Sequence, residues 1–581
     1  MTTSSMMDLD PVTLEIVWSR LIAVAEEQSV TVRRTAFSNI VRESYDYSCV
    51  VLSRNGDLLA QPFQSMPAFN RCASVVMKTF LERWPDWHPG DVAITNDPWL
   101  AAGHLHDIAL AVPVFHKGRL VAFSANIAHQ ADIGGRGYSA DANSIFEEGL
   151  ALPPLKLYRA GMPVQEVLDI IAENVRVPDQ VLGDIHVQIT AARLGAERIA
   201  ELMAEYDLDD LDGIAETIFA RSEAAIRAAI ANVPDGVYEN EGLLDGFDEP
   251  LTIRVKLTVK GDEIDYDFAG TSPQVPKGIN SCFNYTFGYV SFATKAALEP
   301  RVPNNEGCFR PVHMTVPEAS LLNSKRPAPG NSRGRVGHMI VPVVFGALAK
   351  AMPDAIPAEP GAPAPRANFF GSLDDGREFQ CLLITSGGLG AQAHRDGLAC
   401  KAFPTNTTMA SLEIMELSAP LRFRKRELIP DSGGPGRHRG GLGQEIVVEV
   451  LGSKPVYVST SVERMNNPPI GYQGGADAAG AALWPAALHL RRPDGPGRCA
   501  RPGSGHRAYA VSRRPSGQWR SGGAVSAAAH ADRRPLRDGR QPAPRETAAG
   551  ADLSRLGARG IPPRTAAVDL NAARFTGRRT R

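Results

Sequence analysis

The sequence is short of the signatures that assign a chain of 581 residues at a glance. Its seven cysteines, Cys49, Cys72, Cys282, Cys308, Cys381, Cys400 and Cys499, include no C-x-x-C pair. Their odd number and wide spacing exclude a disulfide framework and a thiolate zinc site, and predict reduced thiols in a cytoplasmic chain. No apolar run approaches the roughly 18 residues of a membrane span, and no basic stretch leads into a short apolar core at the start, so neither insertion nor secretion is expected. Charge of one sign is also missing. With 62 Lys and Arg against 64 Asp and Glu, the net charge of -2 leaves no basic field to hold nucleic acid or an anionic membrane. The G-x-x-x-x-G-K-[ST] phosphate loop, the dinucleotide fingerprint and the G-x-S-x-G nucleophile elbow are all absent, and no cysteine sits in a nucleophile context. Metal-assisted chemistry is what these absences leave.

Turning to what is there, hydrophobic residues make up 43% and charged residues 22%, the balance of an ordinary globular protein of several folding units. Asp10 stands as an N-cap before Pro11, and apolar residues recur at helical spacing through Val24, which predicts a first helix. "YSCVVLSRNGDLLAQ" reads as two strands about an Asn55-Gly56 turn, "CASVVMKTFLERW" as a second helix, and "DVAITNDP" as a strand ending in a polar corner. Helical patterns dominate from Val164 to Val233, and strands return in "LTIRVKLTVKGDEIDYDFAG". A further helix is expected in "PVVFGALAKAMP", followed by strands and glycine-rich turns in "QCLLITSGGLGAQAHRDG" and "LIPDSGGPGRHRGGLGQEIVVEV". The expected fold is a large mixed α/β (α+β) assembly over residues 1–475, with a candidate subdivision near Pro234. From Ala476 onward the style changes: 20 arginines face 7 acidic residues and lysine disappears. That composition predicts an unfolded Arg/Pro/Gly/Ala-rich tail over 476–581, of the kind a shifted reading frame in a GC-rich gene produces.

The richest chemistry lies in "GHLHDIALAVPVFHKGRLVAFSANIAHQADIGG". Two clusters, His104, His106 and Asp107 in one and His129 and Asp132 in the other, flank two strand-like runs joined by a His116-Lys117-Gly118 turn. If the strands pair antiparallel, the start of the first lies beside the end of the second and the clusters meet. Neutral imidazole and carboxylate suit Zn, Mn or Fe, and two His with one carboxylate leave positions open for water or substrate. An extended chain would put His104 and His106 on one face, whereas a turn would pair His104 with Asp107. Asp97, Glu148, Asp184 and Asp396 sit beside glycine or proline in expected loops, as candidates for proton transfer weighed against turn formation. The glycine-rich runs could present N–H groups to an anion, without matching a known phosphate loop.

Several phrases together carry a resemblance. "DPVTLEIVWSRL", "NDPWLAAGHLHDIAL", "AHQADIGG", "EEGLALPPLKL", "NVRVPDQVLGD", "GTSPQVPKGINS", "SGGLGAQAHRDG" and "PDSGGPGRHRGGLG" resemble, in order over roughly residues 10 to 475, the hydantoinase B / 5-oxoprolinase B family, which includes the metal-bearing subunit of acetone and acetophenone carboxylases. The family's T-H-L-P-D pattern aligns its His-x-x-Asp pair with His104 and Asp107 and sets His106 aside. Its A-H-H-A-D pattern has Gln130 here in place of the second histidine, leaving His129, and Phe69 stands where many hydrolase-type members carry histidine. The resemblance implies a divalent metal, Mn or Zn, on His104, Asp107 and His129, with the four loop carboxylates as catalytic candidates. It also implies a hetero-oligomer with a hydantoinase A-like subunit that holds the ATP, acting on a small-molecule substrate. The implied activity is ATP-dependent hydrolysis of cyclic amides such as hydantoins or 5-oxoproline. The alternatives are the equivalent subunit of a ketone carboxylase and a non-catalytic scaffold.

Overall fold

Asp10 accepts hydrogen bonds from the N–H groups of Val12 (3.0 Å) and Thr13 (3.1 Å), and Pro11 fills the first helical position, so α1 (Pro11–Thr35) starts where the sequence predicts. The structure is a computed structural model that describes residues 10–451 and 453–478, with the backbones of 486–491, 509–513 and 519–521. After α1 come α2 (Asn39–Arg42), β1 (Tyr47–Ser53), β2 (Leu58–Ala60), α3 (Pro67–Arg83), β3 (Val92–Thr95), β4 (Asp107–His116), β5 (Arg119–His129), β6 (Leu155–Arg159) and β7 (Met162–Pro163). These strands form one seven-stranded antiparallel sheet in the order β2-β1-β5-β4-β3-β6-β7.

Both faces of this sheet are buried, which explains why its central strands read as continuous apolar runs. Alternate residues serve different cores. Ala109, Ala111, Phe123, Ala125 and Ile127 join the largest core, whereas Ile108, Leu110 and Val112 face the opposite way. Three helices follow, α4 (Gln165–Asn174), α5 (Pro178–Glu205) and α6 (Asp212–Ile230), matching the helical stretch expected from the sequence. Helices α1 and α5 cover one face of the sheet, with Leu14, Val17 and Leu21 of α1 and Ile199 and Leu202 of α5 in one cluster.

The chain continues through β8 (Gly236–Leu244), β9 (Leu251–Lys260), β10 (Glu263–Asp267), α7 (Phe283–Leu298), β11 (Val312–Thr315) and α8 (Gly334–Ala351). The four strands form a second sheet, and α3, α7 and α8 lie between it and the first. The main core therefore runs from Val50 to Ile356, straight across the candidate subdivision near Pro234. The last described part holds β12 (Arg366–Ser372), β13 (Glu378–Ile384), α9 (Leu412–Ser418), β14 (Leu421–Leu428), β15 (Gln444–Val450) and β16 (Val456–Ser461), around a separate small core that includes Phe369, Met415 and Val448.

Of the tail expected over 476–581, three strand backbones are described: β17 (Ala486–Arg491) runs parallel to β15, β18 (Tyr509–Arg513) pairs with β16, and β19 (Trp519–Ser521) pairs with β18. Apart from these and 476–478, that tail lies outside the described residues. Among the described residues no helix is long and apolar enough to cross a membrane, and every described cysteine is unpaired.

Candidate metal centre

A two-residue turn sets the register on which the site depends. Lys117 (φ 47°) and Gly118 (φ 76°) both take positive φ, the geometry whose twist suits a tight hairpin. β4 and β5 then pair so that Asp107 lies directly opposite His129. A slip of one residue would turn His129 to the other face of the sheet.

His104 sits in the turn before β4, so the local chain is an arc, and His104 pairs with Asp107. His104 Nε2 lies 2.9 Å from Asp107 Oδ1, and His129 Nδ1 lies 3.1 Å from the same oxygen. Ligand atoms of His104, Asp107 and His129 all fall within 4.8 Å of one another, and all three residues are buried. These are the three residues expected to hold a metal.

The donor set fits a divalent cation. His104 Nδ1 donates to the Asn331 carbonyl at 2.8 Å, which leaves the Nε2 lone pair bare. Burial, and then the nearby Arg333 charge, push the His104 pKa down to about 3, so the ring is neutral. Among the described residues Nε2 has no hydrogen-bond partner, although it faces a carboxylate oxygen. A lone pair aimed at an anionic oxygen is repulsive unless a cation lies between them. Burial alone would raise the Asp107 carboxyl, but the buried Arg333 guanidinium outweighs it and holds it well below the usual range. Two imidazole nitrogens and one carboxylate are a donor set that suits a divalent first-row metal.

The supporting residues come from distant parts of the chain. Arg333, at the start of α8, donates to Asp107 Oδ2 and to the Ala102 carbonyl and lies 4.1 Å over the Tyr285 ring. Gly103 (φ 87°) makes room for it, since a Cβ there would stand 2.7 Å from the Arg333 side chain. Glu148 is fully buried and accepts the N–H groups of Gly330 (3.1 Å) and Asn331 (2.7 Å), so it fixes the carbonyl that orients His104. Burial raises the Glu148 pKa to about 7.

His106, set aside by the resemblance, belongs to the cluster spatially. Its ring centroid lies 5.3 Å from that of His104 and 5.1 Å from that of His129, and neither of its buried nitrogens has a hydrogen-bond partner among the described residues. Asp46 is a further buried carboxylate, with Oδ2 4.0 Å from His129 Nδ1. Burial raises its pKa. Gln130 points elsewhere: its amide donates to Gln188 Oε1 (3.0 Å), and Gln188 in turn donates to Asn126 (2.9 Å) and to the Ile108 carbonyl (3.0 Å). Asp132 is bound to Arg176 at 2.7 Å and holds the approach to α5.

Three of the four carboxylates expected in loops have other local work, and Asp184 lies not in a loop but within helix α5, whose pattern runs through the Gly183-Asp184 pair. Asp97 accepts from the Trp99 N–H (3.0 Å) and pairs with Arg326 (2.6 Å). Asp184 accepts from the N–H groups of Phe37 (2.6 Å) and Ser38 (3.3 Å). Asp396 accepts from the Arg439 N–H (3.0 Å) in the glycine-rich region. Asp184 still bears on the site, because Phe37 and Ser38 line a cavity of about 540 Å³ that reaches His106, His129, Gln130 and Tyr138. Arg176 and Arg377 line it as well. Asp46, Arg333 and Tyr138 were missed by sequence reasoning. The one available signal was "NSRGRVGH", where two arginines open an otherwise apolar helix.

With this geometry in view, comparison with known proteins assigns the class: residues 10–518 match the Hydantoinase B/oxoprolinase family, and the chain belongs to it. The B component of a putative D-/L-hydantoinase from Pseudomonas sp. (strain NS671) is 32% identical over 492 residues, covering 81% of this chain and 82% of that one. The beta component of the caprolactamase of Pseudomonas jessenii is 30% identical over 463 residues, 77% and 79% of the two chains. The crystal structure of the ATP-dependent caprolactamase from that organism superposes with a TM-score of 0.72 at 26% identity, over 78% of this chain and 80% of that one. The nucleotide-free acetone carboxylase shares the fold, with a TM-score of 0.73 at 19% identity, over 81% and 65% of the chains.

Proposed function

We propose that this chain is the metal-holding subunit of an ATP-dependent hydrolase of cyclic amides, hydantoins or 5-oxoproline among them, and works with a hydantoinase A-like ATP-binding subunit in a hetero-oligomer. The observation that carries the reading is the convergence of His104, Asp107 and His129 beside a cavity large enough for a small cyclic substrate. Relatives named as single components of multi-part enzymes support the partner, and the absence of a nucleotide loop in the sequence agrees with ATP bound elsewhere.

A Mn or Zn ion on these residues would polarise a substrate carbonyl or lower the pKa of water. The chain's own residues prepare that chemistry. Arg333 fixes one oxygen of Asp107 and leaves the other toward the histidines. Asn331, held by Glu148, keeps the His104 proton on Nδ1. Tyr138, whose buried hydroxyl has no partner, lines the cavity and offers a donor or acceptor to substrate. Glu148 acts as a positioning residue. The catalytic roles considered for Asp97, Asp184 and Asp396 give way to holding a turn, a cavity wall and a glycine-rich loop.

The test combines elemental analysis with reconstitution. The purified chain should carry about one divalent metal, and should turn over hydantoin or 5-oxoproline only when the partner subunit and ATP are added. Bicarbonate-dependent consumption of a ketone by the reconstituted complex would favour the carboxylase reading instead. A metal-free chain that assembles with its partner and leaves the complex inactive would support the scaffold.

A further inference from the structure

A second cavity, of about 600 Å³, shares no lining residue with the histidine cavity. Its walls are the segment between α8 and β12 and three glycine-rich loops, those after β13, β14 and β16. The loops are layered backbone against backbone: a Cβ on Gly390 would stand 1.8 Å from the Ala358 carbonyl oxygen, and one on Gly388 would stand 1.9 Å from that of Gly441. Such a chamber keeps its shape without side chains to fill it.

Arg464 lines this chamber and is 4% exposed. Its Nη1 is 2.9 Å from Glu359 Oε2, and Glu359 also accepts the Ile470 N–H at 3.1 Å. Nε and Nη2 of Arg464 are buried and have no hydrogen-bond partner among the described residues. Arg464 also has φ 68°, a left-handed conformation that costs a non-glycine residue energy and is retained where the surroundings demand it. A buried donor without an acceptor is costly, and Nε with Nη2 forms the side-on fork that takes two acceptor oxygens at once. Arg437 and His394 are exposed lining residues, His438 is half-buried, and Asp354 is exposed on the same wall.

We infer that this chamber is a second ligand site, for a small oxyanion of carboxylate or phosphate chemistry received side-on by Arg464. Glu359 fixes the guanidinium and takes up part of its charge. The ligand supplies the two missing acceptors, and the glycine backbone lets it approach closely. This site stands apart from the metal reading, because none of its residues touches the histidine cluster.

Isothermal titration of the full chain with inorganic phosphate and, separately, with succinate tests it. At least one should bind with a Kd below about 1 mM. Phosphate alone marks a phosphoryl ligand, and succinate alone a carboxylate. Arg464→Lys keeps a cation beside Glu359 but loses the planar fork, and should weaken binding at least about tenfold while metal content stays unchanged. No binding of either probe at about 20 mM, or equal binding by Arg464→Lys, overturns the inference. Should Arg464→Lys fail to fold, the paired change Arg464→Met with Glu359→Gln removes both charges together. Loss of binding in that folded variant is expected, and retained binding overturns the inference.

Discussion

The histidine cavity and the glycine-rich cavity are similar in size, about 540 and 600 Å³, yet they are built in opposite ways. In the first, side chains do the shaping: Asp107 and His129 are locked by a strand ladder, His104 by the Asn331 carbonyl, and Arg333 reaches in from another helix to hold Asp107. In the second, main chain packs on main chain, and one buried arginine brings most of the chemistry. The contrast shows two sources of preorganisation. Strands fix where side chains point, with a period of two, whereas glycine loops fix where the backbone can go.

If side chains carry the first cavity, Asp107→Ala should be the most damaging change. It leaves Arg333 buried without its carboxylate, a loss of about 3–5 kcal/mol, and removes the metal as well. Urea denaturation and elemental analysis read both effects, and an equally stable, metal-loaded variant would break this half of the comparison. His104→Ala should lose the metal, whereas His106→Ala should retain it, because His106 falls outside the set of ligand atoms that converge. Metal lost from both variants would enlarge the site to include His106.

If backbone packing carries the second cavity, Gly390→Ala should cost about 1–3 kcal/mol from the clash with the Ala358 carbonyl, with metal content intact. A thermal melt within error of the parent would show that these loops yield.

The electrostatic difference can be sharpened with Glu148. Its pKa rises from 4.5 to about 7 in the fold, so its stabilising contribution is full below about pH 4.5 and is lost as pH rises toward 7. Glu148→Gln should flatten the pH dependence of stability across that window, and an unchanged slope would mean that other groups produce it. The smallest effect belongs to Asp396→Ala, on a half-exposed side chain beside the glycine loops. Its stability should stay within about 0.5 kcal/mol, and its metal content should be unchanged.

The first cavity was legible because hairpin chemistry is local. Two apolar runs around His116-Lys117-Gly118 foretell an antiparallel pair, and the pair forces Asp107 against His129. The role of Glu148 was not legible, since it acts through Asn331, which lies far along the chain. In the sequence Asp184 is a candidate for proton transfer and Asp132 a member of the second histidine-aspartate cluster, yet both are consumed in tying α5 to its neighbours. The glycine-rich runs announced turns and nothing more, because a glycine signals the same freedom whether its loop lines a chamber or faces solvent.

What the sequence by itself determined was the local grammar: the capped first helix, the hairpin and its turn, and the pairing of His104 with Asp107 and His129 that the family pattern implied. Those features depend on residues near one another, or on a ladder whose register a short turn sets. Only the tertiary structure decided that Arg333 neutralises Asp107, that His106 joins the cluster, and that Arg464 is left with two unanswered donors. Burial is the reason: the worth of a charge or a lone pair depends on which distant elements exclude water from it, and no stretch of sequence contains its own surroundings.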